Sequence, residues 1–226
     1  MKGTGVKHQM SESLPTVAFL TLSGGLQDAY TYFARGKVFA NAQTGNIVLM
    51  AAHFSQGDPA GGMKYLIPVA AFALGVMAAE QTGAHFRTMR RLHWRQLVVA
   101  GEILILAAVS FLPESMNMTA NALVSFVCAM QVQTFRKVLD SPCASTMCIG
   151  NLRSAMDHLS AFLRTGRRED LRECSIYFCV ILLFALGAAL GSFSIQLLGL
   201  GTILISCTLL SVSFLLMLIQ SEHSGR

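Results

Sequence analysis

The sequence predicts an all-α, polytopic membrane helix bundle that forms a single integral membrane domain over residues 1–226. Apolar residues make up 53% of the chain and charged residues 13%, with a mean hydropathy of +0.53. The chain also contains about six apolar segments of roughly 17 to 24 residues, long enough to cross a hydrocarbon core of about 30 Å as helices. In addition, short sequence patterns recur between its two halves. The apolar segments leave no room for a soluble domain within these residues.

The predicted membrane segments are 14–34, 65–83, 96–113, 118–135, 174–197 and 200–219. Two shorter polar elements, 38–54 and 143–163, each contain a Gly-Asn pair, and whether they cross the membrane decides the topology. Lys and Arg concentrate on the cytoplasmic side of membrane proteins, and the strongest cluster here lies between 87 and 95.

With this cluster inside and neither short element crossing, thirteen Lys and Arg lie inside and three outside, namely Arg35, Lys37 and Lys64. The count is eight on each side if both short elements cross. It is again thirteen to three if only the first crosses. The charges therefore favour six crossings with both termini cytoplasmic, in a bacterial inner membrane, but do not distinguish this topology from the last one.

Three recurring patterns predict two related halves, 14–113 and 118–219. They are Phe-Ala-Leu-Gly at 72–75 and 184–187, Gly-Asn at 45–46 and 150–151, and an alignment of 25–28 with 129–132, at offsets of 112, 105 and 104 residues. Repeat symmetry favours the topology in which neither short element crosses. Because each half then crosses three times, the second half enters the membrane inverted. In such proteins the broken elements of the two halves meet near the midplane and form the binding site.

The candidate substrate- or ion-binding residues lie in the first and fourth spans and in the two broken elements. They are Gln27, Asp28, Thr44, Gly45, Asn46, Gln131, Gly150 and Asn151. A lone charge such as Asp28 costs at least about 2.5 kcal/mol inside a membrane, so it should face the bundle interior. There it either takes up a proton or cation during transport, or it is structural, capped by backbone amides or paired with a base such as Arg153. In the first broken element, Thr44 and Asn46 either satisfy freed backbone groups or contact a solute.

Other polar and small residues have alternative interpretations. Glu102, inside the third span, is open between a functional and a structural role. In the second short element, leucines and a methionine at 152, 156, 159 and 163 share one side of a helix. That helix is either re-entrant or lies on the inner membrane surface. Arg153 and Asp157 are spaced for a local ion pair. The small-residue patterns 187–191 and 71–75 predict close helix packing within the chain.

Several of these residues also carry a family resemblance. The run Gly25-Leu26-Gln27-Asp28-Ala29, then Phe39 and Thr44-Gly45-Asn46, and in the second half Ile149-Gly150-Asn151-Leu152, resembles the YoaK family of bacterial integral membrane proteins. The likeness spans nearly the whole chain. It implies six membrane segments, an uncharacterised domain, and no established substrate or catalytic residues. Ile149 stands where the family usually has threonine, so no hydroxyl role is expected there.

We therefore expect a transporter of a small molecule or ion, with the lipid bilayer as its surroundings. The alternative is a membrane scaffold or accessory subunit whose polar residues only hold helices together. A wet central cavity lined by Asp28, Asn46 and Asn151 would favour transport, and mutual satisfaction of these groups would favour the scaffold.

No nucleophile–base pair, cofactor motif or metal-ligand spacing is present in the sequence, so an enzyme is not expected. Nucleic acid is also not expected despite the net charge of +5, because the basic residues flank apolar segments. A homo-oligomer is compatible with the sequence.

Overall fold

The computed structural model describes residues 13–86, 94–139 and 141–223, with side chains as far as 219. The predicted cytoplasmic Lys2, Lys7, Arg87, Arg90, Arg91 and Arg226 lie outside these residues. The described chain is an all-α bundle, as predicted, with eight helices: α1 (Leu14–Ala34), α2 (Gln43–Ser55), α3 (Pro59–Phe86), α4 (Trp94–Ser110), α5 (Asn117–Thr134), α6 (Cys148–Thr165), α7 (Arg168–Leu198) and α8 (Ile203–His223). Short 3₁₀ turns cover Glu114–Met116 and Gly199–Thr202, and a two-residue antiparallel ladder joins Lys137–Val138 to Ser141–Pro142.

The six predicted membrane segments coincide with the six helices α1, α3, α4, α5, α7 and α8. By length and composition, two stretches are long and apolar enough to cross a membrane, Pro59–Phe86 and Arg168–Ile219, which supports membrane association. Helices α1 and α5 are more polar than these two stretches, because each carries a line of buried polar residues. Helix α4, with 17 residues, is shorter than either stretch. Helix α2 has 13 residues, so its length of about 20 Å is shorter than a hydrocarbon core.

The helices pack in pairs that correspond between the two halves of the chain. Helix α1 packs along α7 and α8, while α5 packs along α3 and α4. Helix α2 lies on α3, and α6 lies on α7. Two further pairs, α4 with α8 and α1 with α5, each join helices at corresponding positions of the two halves. If α1, α2, α3 and α4 are matched in order with α5, α6, α7 and α8, each of these pairs has an observed counterpart. For example, α1–α7 corresponds to α5–α3, whereas α4–α8 and α1–α5 each correspond to themselves.

The directions of three central helices follow from their contacts. Along α1, residues 22 and 26 lie against residues 187 and 191 of α7, so these two helices run parallel. Residues 20 and 27 of α1 instead contact residues 131 and 128 of α5, in reversed order. Helices α1 and α5 therefore pass each other in opposite directions.

Close backbone approach holds the main helix pairs together. A Cβ at Gly25 would lie 2.0 Å from Phe184 O, and a Cβ at Gly187 would lie 2.1 Å from Leu22 O. Between α3 and α5, a Cβ at Gly75 would lie 2.3 Å from Phe126 O. The predicted small-residue packing at 71–75 and 187–191 is thus confirmed as packing within the chain. The largest apolar cluster fills the space among α1, α4, α5 and α8.

The turn between α2 and α3 is fixed by Asp58. Its carboxylate accepts a hydrogen bond from the backbone N–H of Gly61 at 2.9 Å and lies 2.8 Å from His53 Nδ1. Asp58 thereby caps the N-terminus of α3, where Pro59 needs no N–H partner. The Gly61 N–H, and then His53, lower the pKa of this carboxyl.

Helix α6 presents three different sides. Asn151 and Ala155 face the bundle, while the apolar side that contains Leu152, Met156 and Leu163 faces outward. The predicted ion pair between Arg153 and Asp157 is confirmed, with Nε and Oδ2 3.8 Å apart on the exposed polar side. An outward apolar side next to a charged side is the pattern of a helix at a boundary between lipid and water.

Candidate functional site

The polar residues of the bundle interior gather where α1 and α5 cross. Gly24 is the midpoint of α1, and a Cβ there would lie 2.3 Å from Thr146 Cγ2 and 3.8 Å from Gln131 Nε2. Asn41 Nδ2 donates to Gly24 O at 3.2 Å. The segments that precede α2 and α6 therefore both reach the same point on α1. We call Gly24, Asn41, Gln131 and Thr146 the central cluster.

Gln27 lies in this region but is fully occupied by other side chains. Its Nε2 donates to Ser23 Oγ and to Ser206 Oγ, each at 2.9 Å, and its Oε1 accepts from the Cys128 thiol at 2.8 Å. Both Gln27 and Ser206 are completely buried. Gln27 consequently acts as a junction between α1, α5 and α8.

Asp28 supports the chain segment that precedes α2. Its Oδ1 accepts a hydrogen bond from the backbone N–H of Asn41 at 2.7 Å, and the Ala40 N–H also contacts the carboxylate. This is the structural alternative in which backbone amides cap the carboxylate. Pairing of Asp28 with Arg153 is wrong, because the Arg153 side chain is 85% exposed and contacts Asp157. Arg153 lies on the polar side of α6, which points away from the bundle.

Asn46 and Asn151 make the same backbone contact at matching positions of the two halves. Asn46 Nδ2 donates to Phe39 O at 2.7 Å, and Asn151 Nδ2 donates to Ala144 O, also at 2.7 Å. Asn46 Oδ1 additionally accepts from the Phe39 N–H at 3.1 Å. Both asparagines therefore satisfy backbone groups freed by the extended segments before α2 and α6.

The remaining candidates in the broken elements lie outside the central cluster. Thr44 is exposed on the outer side of α2, and a Cβ at Gly45 would meet the Phe39 ring. A Cβ at Gly150 would meet nothing within 4 Å. Each helical residue advances about 100° around the axis, so the neighbours of the buried asparagines point outward. Of the eight candidates, the structure brings only Gln27, Asp28 and Gln131 close to the α1–α5 crossing.

Gln131 is completely buried and only half satisfied. Its Nε2 donates to Leu20 O at 2.9 Å and lies 3.5 Å from Ser145 Oγ. Its Oε1 has no donor among the described residues. The Asn41 Oδ1 and the Thr146 hydroxyl are likewise buried without a partner in the described chain. Unpaired buried oxygens are costly unless water or a ligand meets them.

Glu102 is the residue that sequence reasoning left undecided. Its side chain is completely buried in α4, and neither carboxyl oxygen has a hydrogen-bond donor in the described structure. The Cys128 thiol lies within electrostatic range of both Glu102 and Asp28. At an offset of 104 residues, Glu102 corresponds to Ser206, which bonds Gln27. Sequence reasoning missed Asn41, Thr146 and Ser206, although the repeat offsets relate Asn41 to Thr146 and Glu102 to Ser206.

A polar cavity of about 430 Å³ opens at one end of α3, α4 and α5. Its lining includes Glu80, Arg95, Gln133, Thr134, Arg136 and Lys137. Glu80 accepts from Arg136 Nη2 at 3.0 Å and from Gln133. Buried Thr134 lies three residues after Gln131, so about one helical turn separates the cavity from the central cluster.

Comparison with known proteins places the chain in one family. The family described as "Protein of unknown function (DUF1275)" matches residues 16–216. The chain belongs to this family. The resemblance to an uncharacterised membrane-protein family, inferred from the Gly-Leu-Gln-Asp-Ala and Thr-Gly-Asn motifs, is therefore confirmed. No curated protein and no solved structure matches the chain. The family description names no substrate, so the central cluster is the basis of the proposed function.

Proposed function

We propose that this member of the DUF1275 family is a transporter of a small molecule or ion, with six membrane crossings in two inverted repeats. Its place is the bacterial inner membrane, with both termini on the cytoplasmic side. The observation that carries the proposal is the central cluster: two extended segments, each followed by a short helix, converge on the midpoint of α1 and leave buried oxygens unpaired. Irregular backbone at membrane depth persists where it is buried in protein or lines a polar site.

The helix directions support six crossings. If α2 crossed the membrane, α5 would run in the same direction as α1, but the two helices run in opposite directions. If α6 crossed and α2 did not, α7 would run opposite to α1, but these two are parallel. These directions favour the topology in which each short helix enters and leaves on one side of the membrane, whether it is re-entrant or lies at the surface. They support the six crossings over the alternative that the charge count left open.

The repeated contacts support two related halves. The close contact of Gly75 with Phe126 recurs between Gly187 and Leu22, at the offsets of 112 and 104 residues found in the sequence. The bond of Asn46 to residue 39 recurs 105 residues later between Asn151 and residue 144. Opposite directions of the corresponding helices α1 and α5 fit an inverted relation of these halves.

The positions of the charges fit the proposed orientation. Three basic residues assigned to the cytoplasmic side, Arg95, Arg136 and Lys137, line the same cavity at one end of the bundle. Among the residues assigned outside, Lys64 lies beside Gly36, next to Arg35 and Lys37. The cavity is then a cytoplasmic vestibule, one helical turn of α5 from Gln131.

The scaffold alternative has its own support in the structure. Asp28, Asn46 and Asn151 are all satisfied by backbone groups, which is the outcome expected of residues that only hold helices together. Transport is favoured over this alternative by different residues, Asn41, Gln131 and Thr146, whose buried oxygens have no donor in the described chain. The central cluster therefore replaces the asparagine pair as the proposed binding site.

The topology can be tested with single cysteines at Lys37 and Lys137, introduced into a variant in which the six native cysteines are replaced. We expect a membrane-impermeant maleimide to label Lys37→Cys from the periplasmic side and Lys137→Cys only after the cytoplasmic side is opened. The reason is that an odd number of crossings separates the two positions. Labelling of both from the same side would contradict the inverted six-span arrangement.

Transport is tested by thermal unfolding of the purified full chain against a broad panel of solutes and ions. We expect at least one member to raise the unfolding temperature and to be taken up by vesicles containing the protein, because a ligand that binds only the folded state stabilises it. Gln131→Leu should remove both effects, whereas Thr44→Ala, on the exposed side of α2, should keep them. A panel without any stabilising solute, together with a copurifying partner protein, would leave the scaffold as the function.

A further inference from the structure

The hydrogen-bonding pattern of the central cluster indicates what kind of ligand it can take. Asn41 and Gln131 each point their side-chain nitrogen at a backbone carbonyl, of Gly24 and Leu20 respectively. A carbonyl oxygen only accepts hydrogen bonds, so this orientation of the two amides is fixed. One N–H of each amide is therefore used within the protein, and the acceptors Asn41 Oδ1 and Gln131 Oε1 are left over.

Glu102, at the middle of α4, adds acceptor capacity near the α1–α5 crossing, because its carboxyl lies within electrostatic range of the Cys128 thiol that bonds Gln27. Beside a bound cation, this carboxyl would supply a negative charge. Both of its oxygens are buried without a donor in the described chain. On α8, which packs against α4, the polar groups are engaged elsewhere: Ser206 bonds Ser23 and Gln27, and the Cys207 thiol donates to Ile103 O. A completely buried carboxylate needs a hydrogen-bond donor or a counter-charge.

The protein's own buried basic group is directed away from this carboxyl. Among the described residues, Arg35 is the buried arginine or lysine, and its guanidinium donates to Tyr30, Val109, Pro113 and Asn117 at the C-terminal end of α4, about two helical turns beyond Glu102. The N–H groups before α2 are occupied as well, because Asp28 accepts from Asn41. An anion would face the carboxyls of Asp28 and Glu102, whereas a cation would meet unpaired amide and carboxyl oxygens.

We propose that the central cluster and Glu102 bind a small cation of the ammonium class, either the ammonium ion or a primary alkylammonium. This rests on the proposed transport function and names its substrate class. The N–H groups of the ligand donate to Asn41 Oδ1, Gln131 Oε1 and the Thr146 hydroxyl, and Glu102 supplies the counter-charge. The ligand enters the site from the cytoplasmic vestibule and passes Thr134.

The packing around Gly24 limits the size of the ligand. A single added Cβ at this position would already lie 2.3 Å from the Thr146 methyl group. At Gly24 itself, α1 and the segment before α6 are therefore in direct contact, which limits the space for a ligand beside this contact. A quaternary ammonium ion, which is bulky and has no N–H, should not enter, and it serves as a matched negative ligand.

The first experiment measures the unfolding temperature of the purified full chain in detergent against rising ammonium or methylammonium chloride. Choline chloride keeps the ionic strength constant, and sodium and potassium chloride form separate arms. We expect ammonium and methylammonium, which both carry N–H donors, to raise the unfolding temperature until the site is saturated. Glu102→Gln and Thr146→Val should raise the half-saturating concentration about tenfold or more, because a hydrogen bond to a charged group contributes about 1.5–3 kcal/mol. Glu114→Gln, an exposed carboxylate in the α4–α5 turn, should bind as the unaltered protein does.

Two outcomes of the titration would overturn the ammonium proposal, and a third outcome comes from the variants. One is the absence of stabilisation by either ammonium ion, and the other is stabilisation by sodium or potassium without ammonium, which would make the same oxygens an alkali-ion site. Unchanged binding in Glu102→Gln and in Thr146→Val would place the cation elsewhere and equally contradict it. Because Thr146→Val preserves shape, a folding defect in Glu102→Gln leaves the test intact.

A second measurement separates the site from the transport function. Uptake of radiolabelled methylammonium by vesicles containing the protein, above that of protein-free vesicles, supports both. Stabilisation without uptake keeps the cation site and rejects transport. Uptake of an unrelated solute without any ammonium effect keeps transport and rejects the ammonium assignment.

Discussion

Replacing Gly25 with alanine should prevent α1 and α7 from packing and lower the free energy of unfolding by about 3 kcal/mol. The added Cβ would lie 2.0 Å from Phe184 O and 2.9 Å from Ala188 N, both of which are backbone atoms. A flexible side chain can move aside, but a backbone can do so only if the whole helix shifts. The change should appear as a loss of monodisperse protein and a lower unfolding temperature in detergent.

The control for this substitution is Gly101→Ala on α4. No atom lies within 4 Å of a Cβ built at Gly101. Alanine is favoured over glycine inside a helix by roughly 0.5–1 kcal/mol, so this variant should be at least as stable as the parent. Equal stability of Gly25→Ala and Gly101→Ala would show that α1 and α7 do not approach as closely as described.

The same reasoning links the two halves of the chain. Gly75→Ala would bring a Cβ within 2.3 Å of Phe126 O, at the α3–α5 contact that corresponds to the α7–α1 contact at Gly187. Two contacts with the same geometry should respond alike to the same substitution. Membrane helices approach through small residues because lipid provides little hydrophobic driving force between them. The bundle therefore depends on these backbone contacts more than a soluble protein of similar size would.

The helices could be predicted from the sequence because apolar length is a local property. The predicted first segment, 14–34, has the same bounds as α1. Asn46 and Asn151 could be singled out because each Gly-Asn pair carries the same local contact, a side-chain amide that bonds a carbonyl seven residues earlier. Such bonds depend on neighbouring chain only, so they leave a signal in the sequence.

The central cluster could not be predicted because it depends on contacts between distant segments. Gln131 meets Leu20, and Gln27 meets Ser206, across more than a hundred residues. Glu102 lies in a helix that is apolar on all sides, so no periodicity shows which face is buried. Thr44 and Asn46 belong to the same polar Thr-Gly-Asn motif, so the sequence predicts both as site residues. They nevertheless point in different directions from α2, with Thr44 exposed and Asn46 buried.

Arg35 is the clearest case of a charge whose place the sequence does not reveal. The charge count treats it as one of three basic residues on the outer side, yet its side chain is completely buried. Its Nε donates to Tyr30 Oη at 2.8 Å, and its two terminal nitrogens reach Val109 O, Pro113 O and Asn117 Oδ1 at 3.0–3.1 Å. The guanidinium thus lies at the C-terminal end of α4, where carbonyl groups point outward and the helix dipole favours a cation.

Arg35→Met should therefore lower the free energy of unfolding by about 3 kcal/mol or more, because hydrogen bonds from a charged donor are lost and buried oxygens are left unpaired. Arg35→Lys should recover only part of this loss, since a compact ammonium cannot reproduce the planar fork that reaches four acceptors. Thermal unfolding of the purified chain measures both variants.

The matched control is Lys37→Gly, two residues further along the same loop. Lys37 is exposed and has a φ of 63°, a conformation that glycine adopts without strain, so this loss of a positive charge should leave stability unchanged or improve it. If Arg35→Met were as stable as Lys37→Gly, the guanidinium would not be joining α1 to the α4–α5 turn. The opposite result, a large loss at Arg35 alone, means that a buried cation at the outer end of the bundle is retained for its hydrogen bonds. A buried arginine of this kind does not count under the charge rule, which concerns residues that meet water and lipid headgroups.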